Sequence, residues 1–191
     1  MVTKIGDEYY GPVEDIEMLK KSNFELNYDF EEKESIKRYF TMDQKFSKDF
    51  SSSYEALRFF EVNSYQRDFK SVIVKNAENQ HFLYCKGEPE NLQQFCSRNT
   101  IPYNFEQTMS KYSLKGFKCI ALAYKEIDQN QVDYKREELE KNLIFLGFYL
   151  KKVQTDTQNN QTVENLLEND MNIILSTKQS IYLALSTAKE S

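Results

Sequence analysis

The chain has no tryptophan, one histidine, three cysteines, three prolines and five glycines in 191 residues. Most of these shortages close a class of function. The one histidine, His81, opens an apolar run beside no cysteine pair or carboxylate cluster, which excludes a zinc site or a histidine-based catalytic triad. No metal-ligand set is expected. Cys85, Cys96 and Cys119 are odd in number and far apart, and two of them lie in apolar, strand-like runs. That pattern predicts buried free thiols in an intracellular, reducing compartment rather than disulfides. No stretch approaches the roughly 20 apolar residues that cross a bilayer, and the N-terminus lacks the apolar core of a signal peptide. A chain without a membrane span is the expectation. Nor is there a basic stripe, because 25 Lys and Arg are interleaved with 30 Asp and Glu for a net charge of −5, which excludes a nucleic-acid surface.

What is present is an ample supply of core. Hydrophobic residues make up 40% of the chain, with 14 Phe and 13 Tyr, enough to fill one domain and part of a second without disulfides. The chain is organised around residues 60–89. Lys70-Ser71-Val72-Ile73-Val74-Lys75 and His81-Phe82-Leu83-Tyr84-Cys85, joined by Asn76-Ala77-Glu78-Asn79-Gln80, read as a β-hairpin. The second strand runs into Lys86-Gly87-Glu88-Pro89-Glu90. A lysine ending a buried strand, followed by a glycine that lets another body approach the backbone, reads as a site for something anionic. Pro89 opens a helix to Arg98 with Leu92, Phe95 and Cys96 on one stripe.

Around this centre, Gly6 to Gly11 reads as a turn, and Pro12 opens a helix whose Val13, Ile16 and Leu19 share a face, with Met18 at its margin. Asn23–Asn27 reads as a short strand and Asp29–Ser53, rich in charge, as helix and loop. Phe59 to Val62 reads as a strand. A helix carrying Phe105, Met109 and Tyr112 stops at Gly116, a C′ glycine. Phe117–Tyr124, apolar with little alternation, reads as a strand covered on both sides. Asp133–Lys141 reads as a charged, mostly solvated helix and Leu143–Leu150 as a buried strand. Beyond lie a loop (154–161), a helix (Val163, Leu166, Leu167), a strand (Met171–Leu175) and a helix (Ile181, Leu185, Ala188). The change from antiparallel to βα spacing sets a boundary near residues 142–152.

In this order the segments resemble the nucleotide-binding domain of P-type ATPases. Lys86-Gly87-Glu88-Pro89-Glu90 looks like the family's KG(A/S)PE motif. Gly116-Phe117-Lys118-Cys119-Ile120-Ala121-Leu122-Ala123 is similar to its G(F/Y)R(V/C)(I/L)ALA strand, and Glu140 to Gly147 resembles E-x-x-L-x-F-L-G. Gly6-Asp7 with Pro12-Val13-Glu14 looks like a GDPxE segment split by an insertion. Phe60 to Val74 looks like FEFxS…RMSVIV. The wording from Cys96 to Phe117 resembles the fifth subclass, which includes polyamine exporters. The resemblance implies an α+β fold, an antiparallel sheet flanked by helices over residues 1–142. A partial α/β Rossmann-like βαβα unit, part of a phosphorylation domain, would follow over 143–191.

The resemblance also implies roles. Lys86 would lie in an ATP pocket near the adenine and phosphate chain, Gly87 would leave room for the nucleotide, and Glu14 would approach the adenine amino group. Lys118 replaces an arginine that contacts phosphates, keeping the charge without the bidentate fork. Val62 stands where the family has a phenylalanine that stacks on adenine. Leu175-Ser176-Thr177-Lys178-Gln179 occupies the place of an (I/L)-T-G-D-N loop, so Lys178 reverses a charge near phosphate and Mg²⁺. Asp156-Thr157 resembles the retained D-(P/T) pair. The Asp-Lys-Thr-Gly phosphorylation motif and the GDGxND motif are absent from these residues. No catalysis by this chain alone is expected, and ATPase activity only as part of a longer P-type ATPase.

Two readings follow. One is a degenerate, structural or accessory subunit of a larger assembly, with weak or lost ATP binding and no Mg²⁺ held by this chain alone. Met1, Val62, Lys178 and the half-length second domain favour it. The other is an ATP-binding cytosolic fragment of an active cation- or polyamine-transporting P-type ATPase. Either way the partners are other protein subunits or the remainder of an ATPase. The location is the cytosolic face of a membrane, or an organelle interior within a complex.

Overall fold

The turn of the hairpin at the centre of the sequence closes on Asn76, whose backbone N–H donates to the Gln80 carbonyl at 3.0 Å. The Asn76 carboxamide oxygen accepts from the backbone N–H of Glu78 at 3.0 Å and of Gln80 at 2.8 Å, and its Nδ2 donates to Gln80 Oε1 at 2.8 Å. Asn79 takes the left-handed conformation, φ 61°, that asparagine tolerates. The turn joins β6 (Phe69–Asn76) to β7 (His81–Gly87). The computed structural model describes residues 2–32, 35–42, 53–62, 67–153, 157–174, 176 and 181–190.

Among these residues β1 (Thr3–Ile5) and β2 (Glu8–Tyr10) form a hairpin around Gly6-Asp7, with Ile5 opposite Glu8 and Gly6 at φ 62°. A seven-stranded sheet follows in sequence order: β3 (Phe24–Glu32), β4 (Ser35–Met42), β5 (Ser53–Phe60), β6, β7, β8 (Phe117–Ile127) and β9 (Ile144–Lys152). The β3–β4, β4–β5 and β5–β6 pairs are antiparallel. The helices are α1 (Val13–Lys21), α2 (Pro89–Leu92), α3 (Phe105–Ser113), α4 (Arg136–Leu139), α5 (Thr157–Glu168) and α6 (Ile181–Glu190). This is the α+β arrangement expected, an antiparallel sheet with flanking helices.

The chain forms two compact units that interleave along the sequence. The first comprises Met1–Asn63, Lys70–Cys85 and Tyr124–Lys141. Its core holds Leu26, Ile73, Leu83 and Leu139, each 2% exposed or less. The second comprises Ser64–Phe69, Lys86–Ala123 and Asn142–Ser191. Phe69, Leu92, Phe105, Ile120 and Leu143 are buried there. Within it Phe105 packs against Phe145 and Phe148, ring centroids 5.2 and 4.9 Å away. Two residues three apart meet one ring only if strand alternation breaks between them, and Gly147, at φ 147°, lies in that break. Gly116, at φ 78°, closes the turn after α3, one residue beyond the C′ position expected for it, because the helix ends at Ser113 with Leu114 as its C-cap.

Several expectations need correction. Asp29–Ser53 is not helix and loop where it is described: Asp29–Glu32 and Ser35–Met42 are strand, paired from Phe24↔Met42 to Glu32↔Ser35. The polar composition concealed a hairpin at the sheet edge, where alternation survives as buried Leu26 between exposed Glu25 and Asn27. The Pro89–Arg98 helix is a single turn, α2, followed by 3₁₀ turns at Gln93–Phe95 and Arg98–Thr100. The strand expected over Leu143–Leu150 is present as Ile144–Lys152, but past the buried Leu143 it is half-buried to exposed. As β9 it is the last strand of the sheet, with Leu146 53% exposed. Met171–Ile174, expected as a strand, has no regular structure, and Leu175 lies outside the described residues. Asp133–Lys141 is mostly solvated as expected, but its helix is the single turn Arg136–Leu139, and Arg136, Leu139 and Glu140 turn inward and are buried.

Candidate functional site

In the first unit, Pro12 stands at the N-cap of α1, its φ fixed at −59° and its ψ still extended at 131°, and Glu14 and Asp15 follow in the first turn, where carboxylates suit the helix dipole. Asp15 Oδ2 lies 3.7 Å from Lys70 Nζ on β6, and Glu61 Oε2, just past the end of β5, lies 3.2 Å from the same ammonium. Glu14 is therefore next in sequence to one carboxylate on Lys70, and Val62, 47% exposed, is next to the other. Burial alone would lower the Lys70 pKa, but the hydrogen bond to Glu61 and the fields of Asp15 and Glu61 outweigh it and hold it above 10.5. For Glu61 burial acts upward, while cations beside it, Lys70 foremost, act downward and prevail, so its carboxyl stays below 4.5.

Behind this cluster lies a buried polar chain. Glu140, 0% exposed, accepts at one oxygen from Ser71 Oγ at 2.5 Å and from Arg136 Nε at 2.6 Å. Arg136 Nη1 donates to the Glu61 carbonyl at 2.6 Å. A separate apolar hollow of about 400 Å³ lies in the same unit between α1 and the sheet, lined by Leu19, Phe24, Phe40, Tyr54, Val72 and Tyr84 among others.

In the second unit, Lys86 and Gly87 end β7 and lead through Glu88 into α2, with Pro89 at its N-terminus. A Cβ on Gly87 would meet Phe69 Cβ, lie 2.7 Å from Phe69 Cα and 2.8 Å from the Asp68 carbonyl. The chain's own backbone thus fills the space on that side of the glycine. Lys118 Nζ is 3.8 Å from Glu88 Oε1, with Lys118 27% and Glu88 47% exposed. That is a loose surface pair.

Of the residues singled out from sequence, Glu14 and Val62 are each next in sequence to a carboxylate that meets Lys70, and Lys118 is paired with the residue after Gly87. Lys178 and Asp156 lie outside the described residues. Among the described residues no group of three or more His, Cys, Asp or Glu is placed to hold a metal. Sequence reading gave no role to Lys70, Asp15, Glu61, Arg136 and Glu140. Glu61 and Glu140 stood inside segments matched to family motifs, Lys70 opened the first apolar run, and nothing set Asp15 or Arg136 apart from other surface charges.

Comparison with known proteins gives the same direction throughout. The sequence model of the family described as P-type ATPase, cytoplasmic domain N, matches residues 42–149. The chain is 29% identical over 138 residues to the vacuolar cation-transporting ATPase YPK9 of Saccharomyces cerevisiae, covering 70% of this chain and 9% of the relative. It is 32% identical over 126 residues to the probable cation-transporting ATPase 13A5 of Homo sapiens, covering 63% and 10%. With the probable cation-transporting ATPase 9 of Tetrahymena thermophila it shares 28% identity over 170 residues, covering 82% and 14%. The chain spans about a tenth of the length of the relatives it matches.

Proposed function

The chain belongs to the family of the P-type ATPase cytoplasmic domain N, and on that premise we propose that it binds ATP weakly and serves as a non-catalytic cytosolic module of a cation-transporting ATPase. In this reading Lys86 meets the adenine and the phosphate chain, Gly87 offers its backbone, Glu14 receives the adenine amino group and Lys118 meets the phosphates as a point charge. The observation that carries it is the Lys86-Gly87-Glu88-Pro89 corner, at the end of a strand inside the family-matched residues, with Lys118 beside Glu88. The aspartate that would receive the γ-phosphate lies outside residues 1–191, so the chain's own residues bind and orient while transfer happens elsewhere. Mg²⁺ supplies charge neutralisation for the phosphates when bound, and this chain alone does not hold it.

Weak binding follows from Val62. A ring stacked on a base is worth about 1–3 kcal/mol, so an aliphatic side chain there lowers affinity by roughly one to two decades. Residues 1–142 form the nucleotide-binding part, and 143–191 a phosphorylation-domain-like segment that needs a covering partner. Supporting this, Ile174, Ile181 and Leu167 are 90, 70 and 56% exposed. That partner is the remainder of an ATPase or another subunit at the cytosolic face of a membrane. A second reading, a degenerate accessory subunit that has lost ATP, is favoured by Val62 and Lys178.

Calorimetric titration of the 191-residue chain with ATP separates the two. The module reading predicts a dissociation constant of about 1 mM or tighter, or about −4 kcal/mol, abolished by Lys86→Ala. No heat of binding in the unsubstituted chain supports the accessory subunit instead.

A further inference from the structure

We infer that Arg136 and Glu140 are positioning residues for the nucleotide site: together they fix the segment that carries Glu61 and Val62 and the strand that carries Lys70. The inference rests on the ATP-binding reading and adds to it two residues that touch no ligand. All the groups involved belong to the first compact unit.

The geometry runs in one unbroken series. Glu140 stands at the end of α4, 0% exposed, and a carboxylate so enclosed is costly to keep unless its oxygens are satisfied. One of them accepts from Ser71 Oγ and Arg136 Nε, at 2.5 and 2.6 Å. The guanidinium, 7% exposed, then reaches with Nη1 to the Glu61 carbonyl at 2.6 Å, and its carbon lies 5.9 Å from the centre of the Phe60 ring. Ser71 follows Lys70 on β6, and successive side chains of a strand face opposite sides. The Arg–Glu pair therefore grips β6 from the side away from the Lys70 ammonium. It grips the main chain of the residue whose carboxylate meets that ammonium 3.2 Å away.

A buried ion pair gives little stability for its cost, and well-packed apolar residues often serve as well. What this pair supplies is a fixed distance. A guanidinium can bond Glu140 and the Glu61 carbonyl at once because its donors form a rigid fork, which a lysine lacks. Release of that carbonyl frees Glu61, and with it the partner of Lys70 and the placement of Val62. Small displacements of binding groups carry large penalties.

The test compares the unsubstituted chain with Arg136→Lys and Glu140→Gln by ATP titration, with the thermal midpoint and the Lys70 side-chain titration followed by NMR. Arg136→Lys is expected to weaken ATP about tenfold and to bring the Lys70 pKa back toward 10.5. Glu140→Gln keeps an acceptor oxygen in place and is expected to hold ATP affinity within about threefold. A role confined to stability would lower the thermal midpoint of Arg136→Lys while its ATP affinity and the Lys70 titration matched the unsubstituted chain, and that result overturns the inference. Should Arg136→Lys fail to fold, Ser71→Ala removes one bond to the same carboxylate, and loss of ATP affinity supports the inference where unchanged affinity overturns it. If the unsubstituted chain binds no ATP, the nucleotide reading and this inference fall together, an outcome distinct from equal binding by all variants.

Discussion

Replacing Gly87 by alanine puts a methyl group where the chain has already placed its own backbone. The new Cβ would meet Phe69 Cβ and lie 2.7 Å from Phe69 Cα and 2.8 Å from the Asp68 carbonyl, and two of these three neighbours are main chain. Phe69 is 1% exposed with its ring 5.0 Å from that of Phe95, so it cannot swing aside. Relief requires the start of β6 to retreat by about 1 Å from the end of β7, and overpacking of this kind costs about 1–3 kcal/mol. Against that, alanine restricts the unfolded chain and returns about 0.4–1 kcal/mol. The net loss is about 1–2 kcal/mol, a fall of roughly 0.5–1 M in the urea midpoint for a slope near 2 kcal/mol/M. Urea unfolding followed by circular dichroism reads it directly. Gly6→Ala is the control: nothing stands within 4 Å, and only the strain of φ +62° is felt, about 1 kcal/mol with no displacement of strands. A Gly87→Ala chain as resistant to urea as the original would refute the reasoning.

Three further outcomes are expected. Glu140→Ala strands a buried guanidinium and should cost about 3–5 kcal/mol, whereas Glu140→Leu with Arg136→Met should cost well under the sum of the two single changes; equal additivity in urea unfolding counts against the coupling. The Lys70–Glu61 pair should contribute under about 1 kcal/mol, being partly exposed. The depressed Glu61 pKa makes its share present above the ordinary 4.5 and lost as pH falls through the folded value. The raised Lys70 pKa makes its share present below 10.5 and lost as pH rises through the folded value. The gap between the original chain and Lys70→Met should thus be widest between about pH 5 and 10, and a gap constant from pH 3 to 11 would contradict the pairing. Burial pushes the Cys96 thiol up to about 11 and raises Cys119 as well, and all three cysteines are buried. A disulfide reagent at pH 8 should leave the folded chain unlabelled for hours and label three thiols on unfolding; rapid labelling of any one in the native state sinks that picture.

The parts of the fold legible in the sequence are those fixed by local chemistry. Alternating β-branched and aromatic residues on either side of Asn76–Gln80 specify the central hairpin, Pro12 marks the start of α1, and Gly116 marks the end of α3. What escaped was set by position in the sheet. Leu143–Leu150 is apolar enough to be central, yet as the last strand it leaves Leu146 half exposed. The β3–β4 hairpin is polar enough to pass for loop, because an edge hairpin can bury as little as one residue in two. Charge misled in the same way at Arg136 and Glu140, where an i,i+4 pair that usually faces water turns inward to meet Ser71 and the Glu61 carbonyl. The site residues carried by motifs were named from sequence. Lys70 was not, since its partners come from segments far apart in the chain.

The measurement that tests the central claim most directly is a heteronuclear NMR titration of the 191-residue chain with ATP. The account predicts progressive shifts in the amides of Lys86, Gly87, Glu14, Val62 and Lys118, saturating at millimolar ATP, with the Asn76–Gln80 turn unmoved. Shifts absent from those residues at saturating ATP, or confined to the aromatic hollow of Phe24, Tyr54 and Tyr84, would contradict it.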